Sequence, residues 1–284
     1  MNALLIARFT LKEAVSRRLV LAAVGLSLAF LVLYGLGFWF AYGSAANQAA
    51  NPTNRSAPIF ASTLLTILGL YAVNFLASLL ALFLSVGAIS AELDTGTLLA
   101  VMARPLGRAE FVLGRWLAYV LMVAIYVTAM VGAVLLMARV MADYTPGDPV
   151  LAIGLMVLGA VLLTTLALLG SAALPTIANG VVGFSLFGLA WLAGIIEWIG
   201  GAAGIPTMVN LGIAVSLLVP SDGLWRGASY YLMTPIMFAL LPAGRQFVPF
   251  ASGDPPAASF VVWAAGYVVV CLVGAVMVFR RRDL

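Results

Sequence analysis

Histidine is absent from this 284-residue chain, lysine occurs once, at Lys12, and cysteine occurs once, at Cys271. Without imidazole there is no side chain of the usual kind for haem or zinc ligation or for general-base work near neutral pH. One cysteine cannot close an intramolecular disulfide, and Cys271, deep in the last apolar run, reads as a small apolar side chain. A phosphate-binding P-loop needs a lysine after a glycine, and Lys12 follows Leu11. The chain is therefore expected to hydrolyse no ATP. Charge is scarce as well: 8% of residues are charged and 64% are hydrophobic, where soluble domains carry about 25% charged residues. A soluble fold is excluded.

What the sequence does hold is long apolar runs. A bilayer core of ~30 Å needs ~20 consecutive apolar residues per helix, and six segments qualify: 19–43, 59–89, 116–138, 150–174, 179–200 and 257–279. Backbone amides in hydrocarbon must find partners within the segment, so spans of this length are helical rather than strands of a barrel. Arg8, Lys12, Arg17 and Arg18 precede the first run, which is too long for a signal peptide and reads as a retained anchor. The expectation is one all-α integral membrane domain over 1–284.

Basic residues set the orientation. Arg8, Lys12, Arg17 and Arg18, then Arg104, Arg108 and Arg115, then Arg280, Arg281 and Arg282 fall on one side of a six-span drawing, ten of the fourteen basic residues. Arg55, Arg139, Arg226 and Arg245 fall on the other. The excess predicts that both termini are cytoplasmic. Residues 1–18 place Leu4, Ala7, Leu11, Ala14 and Val15 on one helical stripe, which predicts either an interfacial helix on the cytoplasmic surface or a cytosolic extension of the first span. Between the fifth and sixth spans, 201–256 is apolar yet holds seven of the thirteen prolines. Its apolar pieces 207–219 and 230–241 are too short to cross, and they read as re-entrant or interfacial helices on the outer face, separated by a polar turn at Pro220, Ser221, Asp222 and Gly223. No internal repeat is visible.

The connection from Ile89 to Arg115 carries more information than its charges. Gly96 marks a break after the second span. Leu98, Val101 and Met102 then recur at helical spacing, and Pro105 stops that short helix by pushing the residue before it toward an extended conformation. Gly107 with Glu110 three positions later supplies half of a capping box for the next helix. An apolar helix held crosswise between two spans, flanked by Glu92, Asp94, Arg104 and Arg108, is suited to docking in a partner's groove. The plainer reading leaves those arginines to set topology alone.

The run Glu92, Gly96, Thr97, Leu98, Pro105, Leu106, Arg108, Glu110, Gly114, Arg115 resembles the cytoplasmic loop of type 2 ABC export permeases, with Gly107 where serine is usual and Arg115 where lysine is usual. The order of spans and the broken outer segment resemble that family over essentially the whole chain. The resemblance implies a coupling helix seated in a separate ATP-binding cassette subunit. The residues carried over to that contact are Glu92, Asp94, Gly96, Thr97, Leu98, Val101, Met102, Arg104, Pro105, Arg108 and Glu110. It also implies no cofactor in this chain, ATP and Mg bound by the partner, and a second permease copy as homodimer or heterodimer. The setting implied is the plasma membrane, in a bacterium or archaeon the inner one, with no nucleic-acid partner.

Other residues bear on a pathway. Asn74 and Ser78, one turn apart in the second span, could glue helices or line a path. Glu197 is the one acid inside a predicted span; near its outer end it reads first as a solvated interfacial acid, and second as a substrate or proton site. Met233 and Met237, four apart, read as packing rather than copper ligands. Trp39, Trp116, Trp191, Trp198, Trp225 and Trp263 read as interfacial anchors. An ion-coupled secondary transporter and a non-transporting membrane scaffold stand as alternatives to the ATP-driven permease, and no acid, base or metal cluster suggests an enzyme.

Overall fold

The computed structural model describes residues 2–16, 18–49, 56–94, 107–236 and 251–281. Among these every regular element is an α-helix. In chain order they are α1 (Asn2–Ser16), α2 (Arg18–Gln48), α3 (Ala57–Ser85), α4 (Ser90–Asp94), α5 (Arg108–Ala142), α6 (Pro149–Ala173), α7 (Thr176–Ala203), α8 (Pro206–Leu218), α9 (Ser221–Leu232) and α10 (Ala258–Arg281).

Six of the described helices are long and apolar enough to cross a bilayer: α2, α3 continued through α4 to Glu92, α5, α6, α7 and α10. The fold is that of an all-α integral membrane protein. Helix α5 starts at Arg108 rather than near 116, because helical hydrogen bonding continues past the hydrocarbon into charged residues. Where α5 begins, Gly107 is extended, as an N-cap requires. Its far end turns through Asp143, which sits in the left-handed region at φ 50°.

The core is built around α6, which packs against α3, α5, α7, α9 and α10. Leu162, Leu163, Ala167, Leu168 and Ala172 of α6 are buried among Leu70, Val73, Ala77 and Leu82 of α3 and Val123, Val127 and Val134 of α5. At the other extreme, α2 turns Leu28, Val32, Leu33, Leu36 and Phe40 outward, as a lipid-facing helix does. It is held to the bundle by the Ser27–Tyr126 hydroxyl pair at 2.6 Å and by Tyr34, whose ring lies over Gly69 of α3. Helix α1 packs on α5.

Buried hydroxyls within the spans mostly close on their own helix. Thr66 donates to the Ser62 carbonyl at 2.7 Å, Ser85 to Ala81 at 2.6 Å, Thr164 to Ala160 at 2.8 Å and Thr165 to Val161 at 2.7 Å. A hydroxyl satisfied by the carbonyl four residues back lets a polar side chain reside in hydrocarbon at little cost. Cys271 is free and buried.

The 201–256 region differs from expectation in one respect. The first short helix, α8, lies close to the predicted piece 207–219, and the predicted piece 230–241 extends beyond the described residues; a helix not anticipated, α9, runs over Ser221–Leu232. Ser221, Asp222 and Gly223 are thus its first turn and not a loop. Proline followed by Ser-Asp is as good a helix start as a turn, since the missing amide and the acidic first turn both suit an N-terminus. The two helices meet at 105°. Gly204, left-handed at φ 68°, lets the chain leave α7 and turn back into α8.

Candidate functional site

Two constellations of polar residues lie at different levels of the bundle. The first surrounds the end of α3, where a turn at 86–89 separates it from α4. The turn frees backbone groups that hydrocarbon would leave unsatisfied, and side chains from three other helices take them up. Ser171 Oγ of α6 accepts from the amides of Ile89 at 2.8 Å and Ser90 at 3.1 Å. Asn179 of α7 donates through Nδ2 to the carbonyls of Val86 at 2.7 Å and Ala167 at 2.8 Å. It can do so because residue 170 is glycine, where any Cβ would overlap the Asn179 carboxamide. Ser90 Oγ and Thr176 Oγ1 lie 2.8 Å apart.

Arg115 of α5 completes this clasp. Its guanidinium donates to the Ala88 carbonyl and pairs with the Glu92 carboxylate. It also lies 4.8 Å from the centre of the Phe111 ring, which in turn stacks on Phe279 of α10 at 5.8 Å. The Arg115 side chain is 5% exposed and that of Glu92 19%. A planar fork that satisfies a carbonyl and a carboxylate while resting on an aromatic face is work for arginine rather than lysine. Nearby, Arg108 donates to the Arg280 carbonyl at 2.8 Å, tying the start of α5 to the end of α10.

Of the residues expected to meet an ATP-binding partner, Glu92, Arg108 and Glu110 are therefore placed at this end of the bundle. Asp94 ends α4, and Glu110 stands in the first turn of α5. Gly96, Thr97, Leu98, Val101, Met102, Arg104 and Pro105 lie outside the described residues, as does the short helix expected there. Arg115 is legible in the sequence only as a retained positive charge; the clasp it makes depends on α4, which carries Glu92 to it.

A family model described as ABC-2 family transporter protein matches residues 5–284 of the chain. The chain belongs to the ABC-2 transporter family. It is thus the membrane permease component of an ABC transporter. No curated protein matches the chain.

The second constellation of this ABC-2 permease lies where α8 and α9 bend into the bundle. Gly159, in the middle of α6, faces the Ser221 carbonyl and Leu224. On α7, Gly194 leaves room for the Asp222 carboxylate, which a methyl group there would overlap, and Gly212 of α8 lets Glu197 lie close. Arg226 then bridges two acids. Its Nη2 is 2.7 Å from Glu197 Oε2 and its Nε is 3.2 Å from Asp222 Oδ2. The return limb is fixed at its far end, where Tyr144 donates to the Leu232 carbonyl and the Asp148 amide donates to the Tyr231 carbonyl at 2.9 Å.

Glu197 is accordingly not the solvated interfacial acid that its position near a span end implied. Its carboxylate is ion-paired with Arg226 and its side chain is 21% exposed. Arg226, read from the sequence as a vote on topology, is that partner. Asn74 lines a cleft with Tyr71, Phe75, Phe187, Trp191, Ser221 and Asp222. Ser78 instead donates to the Asn74 carbonyl at 2.8 Å within its own helix. The tryptophans divide as well. Trp39 and Trp263 are exposed, but Trp225 is 1% exposed and packs on Tyr71 at 5.3 Å. Trp116 donates to Thr165 Oγ1 at 2.8 Å. Trp225 is thus an interior residue rather than an anchor, while Trp116 is half-buried against the core. Met233 is buried in the core, and Met237 lies outside the described residues.

Proposed function

We propose that this chain is the permease subunit of an ATP-driven exporter, pairing with a second permease copy and binding ATP-binding cassette subunits that supply ATP and Mg. Its setting is the plasma membrane, the inner one in a bacterium or archaeon, with both termini cytoplasmic, in keeping with the distribution of basic residues. The loop from Glu92 to Glu110 carries the contact, through Asp94, Gly96, Thr97, Leu98, Val101, Met102, Arg104, Pro105 and Arg108.

The observation that most supports this reading is the clasp at the root of that loop. The chain enters the loop from α4, bonded to α5 through Arg115 and to the α6–α7 hairpin through Ser171. It leaves the loop as α5 itself, bonded to α10 through Arg108. A force applied to the loop by a closing partner would therefore act on α3, α5, α6 and α10 together rather than on a slack tether. Alternate exposure of a path between two permease copies would follow from that shared movement.

The test is copurification from native membranes with this chain as bait, followed by an ATPase assay. Recovery of a P-loop subunit, lost on Leu98→Asp or Met102→Asp while the chain still inserts, is the expected result. Recovery of the chain with lipid alone across several mild detergents would overturn the reading in favour of an ion-driven carrier using the Glu197–Arg226–Asp222 cluster.

A further inference from the structure

Buried polar groups are normally hydrogen-bonded, and an exception deserves a reason. Ser221 is one. It is 6% exposed, and its Oγ has no hydrogen-bond partner among the described residues. Beside it, Asp222 Oδ2 faces Arg226 Nε at 3.2 Å without a directed hydrogen bond. Both residues line the same cleft, between α3, α7 and the tip of α9.

The other walls specify what could enter. Tyr71, Phe75, Phe187 and Trp191 give the cleft four aromatic sides, and Asn74 adds an amide. Phe75 and Phe187 pack at 5.7 Å, and Trp191 donates to the Tyr71 hydroxyl, so the rings are held in place. Phe75 is 45% and Trp191 39% exposed, which leaves an aromatic mouth open at the surface of the chain. The open interior is only about 10 Å³, room for one water-sized group. Charge decides its sign. Glu197 and Asp222 together outnumber Arg226 by one, and Arg226 approaches both of them. A carboxylate, a serine hydroxyl and an amide oxygen, set among ring faces, favour a compact donor-rich cation.

We propose that this cleft is a subsite for the ammonium group of a transported organic amine, with Asp222 as counter-ion, Ser221 as acceptor, and the apolar body of the ligand lying against Phe75 and Trp191 at the mouth. The inference rests on the permease reading. It deepens that reading by naming a substrate class, amphiphilic amines rather than anions or neutral solutes.

The test uses the full-length chain in lipid nanodiscs and three probes that share one ring: benzylammonium, benzyl alcohol and benzoate. Binding is read by tryptophan fluorescence and by saturation-transfer NMR, with empty nanodiscs as the blank. Benzylammonium should bind saturably, and Asp222→Asn should weaken it about tenfold, as loss of a charge-assisted contact implies. Ser221→Ala should weaken it about threefold to tenfold while leaving the unfolding midpoint unchanged or higher, because the lost hydroxyl has no partner within the protein. The serine variant keeps the test decisive if Asp222→Asn fails to fold. Equal signals from the three probes, signals matched by empty nanodiscs, or benzylammonium affinity unchanged in Ser221→Ala would overturn the subsite. Because the chain is tested without its partner, such a failure alongside a recovered ATPase would leave the exporter reading standing.

Discussion

Arg115 and Glu92 pair across the break at the end of α3, with the guanidinium buried and the carboxylate at its edge. The same guanidinium holds the Ala88 carbonyl that the break exposes. One side chain thus satisfies both a charge and a backbone group released by a single irregularity in a span.

Arg115→Met should therefore lower stability by roughly 3 kcal/mol, since removing one member of a buried pair leaves the other charge uncompensated. Arg115→Lys should recover only part of that, because an ammonium lacks the fork. Thermal unfolding in detergent, followed for both variants and for Arg115→Met with Glu92→Gln, checks this. A double variant no more stable than Arg115→Met would show that the pair is not the cause.

Asn179 and Gly170 should behave as one unit. Asn179→Ala strips donors from two buried carbonyls, at a cost of about 1–3 kcal/mol, and Gly170→Ala should drive the same side chain off its partners. The double variant should be no less stable than the worse single one. Additive losses in the unfolding midpoints would mean that the glycine serves some other contact.

Gly194→Ala should displace the Asp222 carboxylate from α7 and destabilise the hairpin by about 1–3 kcal/mol, the usual range for overpacking. Limited proteolysis between α7 and α10 should rise in that variant and fall back when Asp222→Ala is added. An unchanged digestion pattern would separate the glycine from the carboxylate.

Tyr144, in the loop between α5 and α6, donates to the Leu232 carbonyl, and burial pushes its phenol above the ordinary value. A phenol that ionises less readily when folded stabilises the protein below about pH 10, its unfolded value, and that contribution is lost as pH rises toward the folded one. Tyr144→Phe should cost about 1 kcal/mol at pH 7 and flatten the fall in stability above pH 10. A midpoint-against-pH series that is identical for both proteins at alkaline pH would refute the linkage.

Much of this molecule could be read from sequence because lipid imposes few solutions. An apolar run such as that around Leu162 must be a helix, and the extended residue at Gly107 was marked by its spacing to Glu110. The re-entrant limb was harder. An apolar-run search passes over α9 because Ser221, Asp222 and Arg226 make its sequence look exposed, and an acid that pairs with Arg226, Glu197 on another helix, lies 29 residues away in the chain. Arg115 illustrates the same limit. Its charge fitted the topology pattern, so nothing demanded a partner until α4 placed Glu92 over it. Trp225 had the composition of an anchor, but burial depends on what packs beside it, and Tyr71 lies on a helix more than a hundred residues earlier.

The central position of α6 also bears on when the protein can fold. In order of synthesis α6 is the fourth of the six spans, and it contacts two that emerge before it and two that emerge after it, besides α9. The first three spans already have one another: α2 packs on α3 and on α5, and α3 packs on α5. What they lack until the fourth arrives is the helix that fills the core, so the faces of α3 and α5 that come to bury Leu162 and Leu163 stay open to lipid. A nascent chain arrested before residue 149 would therefore be inserted and partly paired, with its core unfilled.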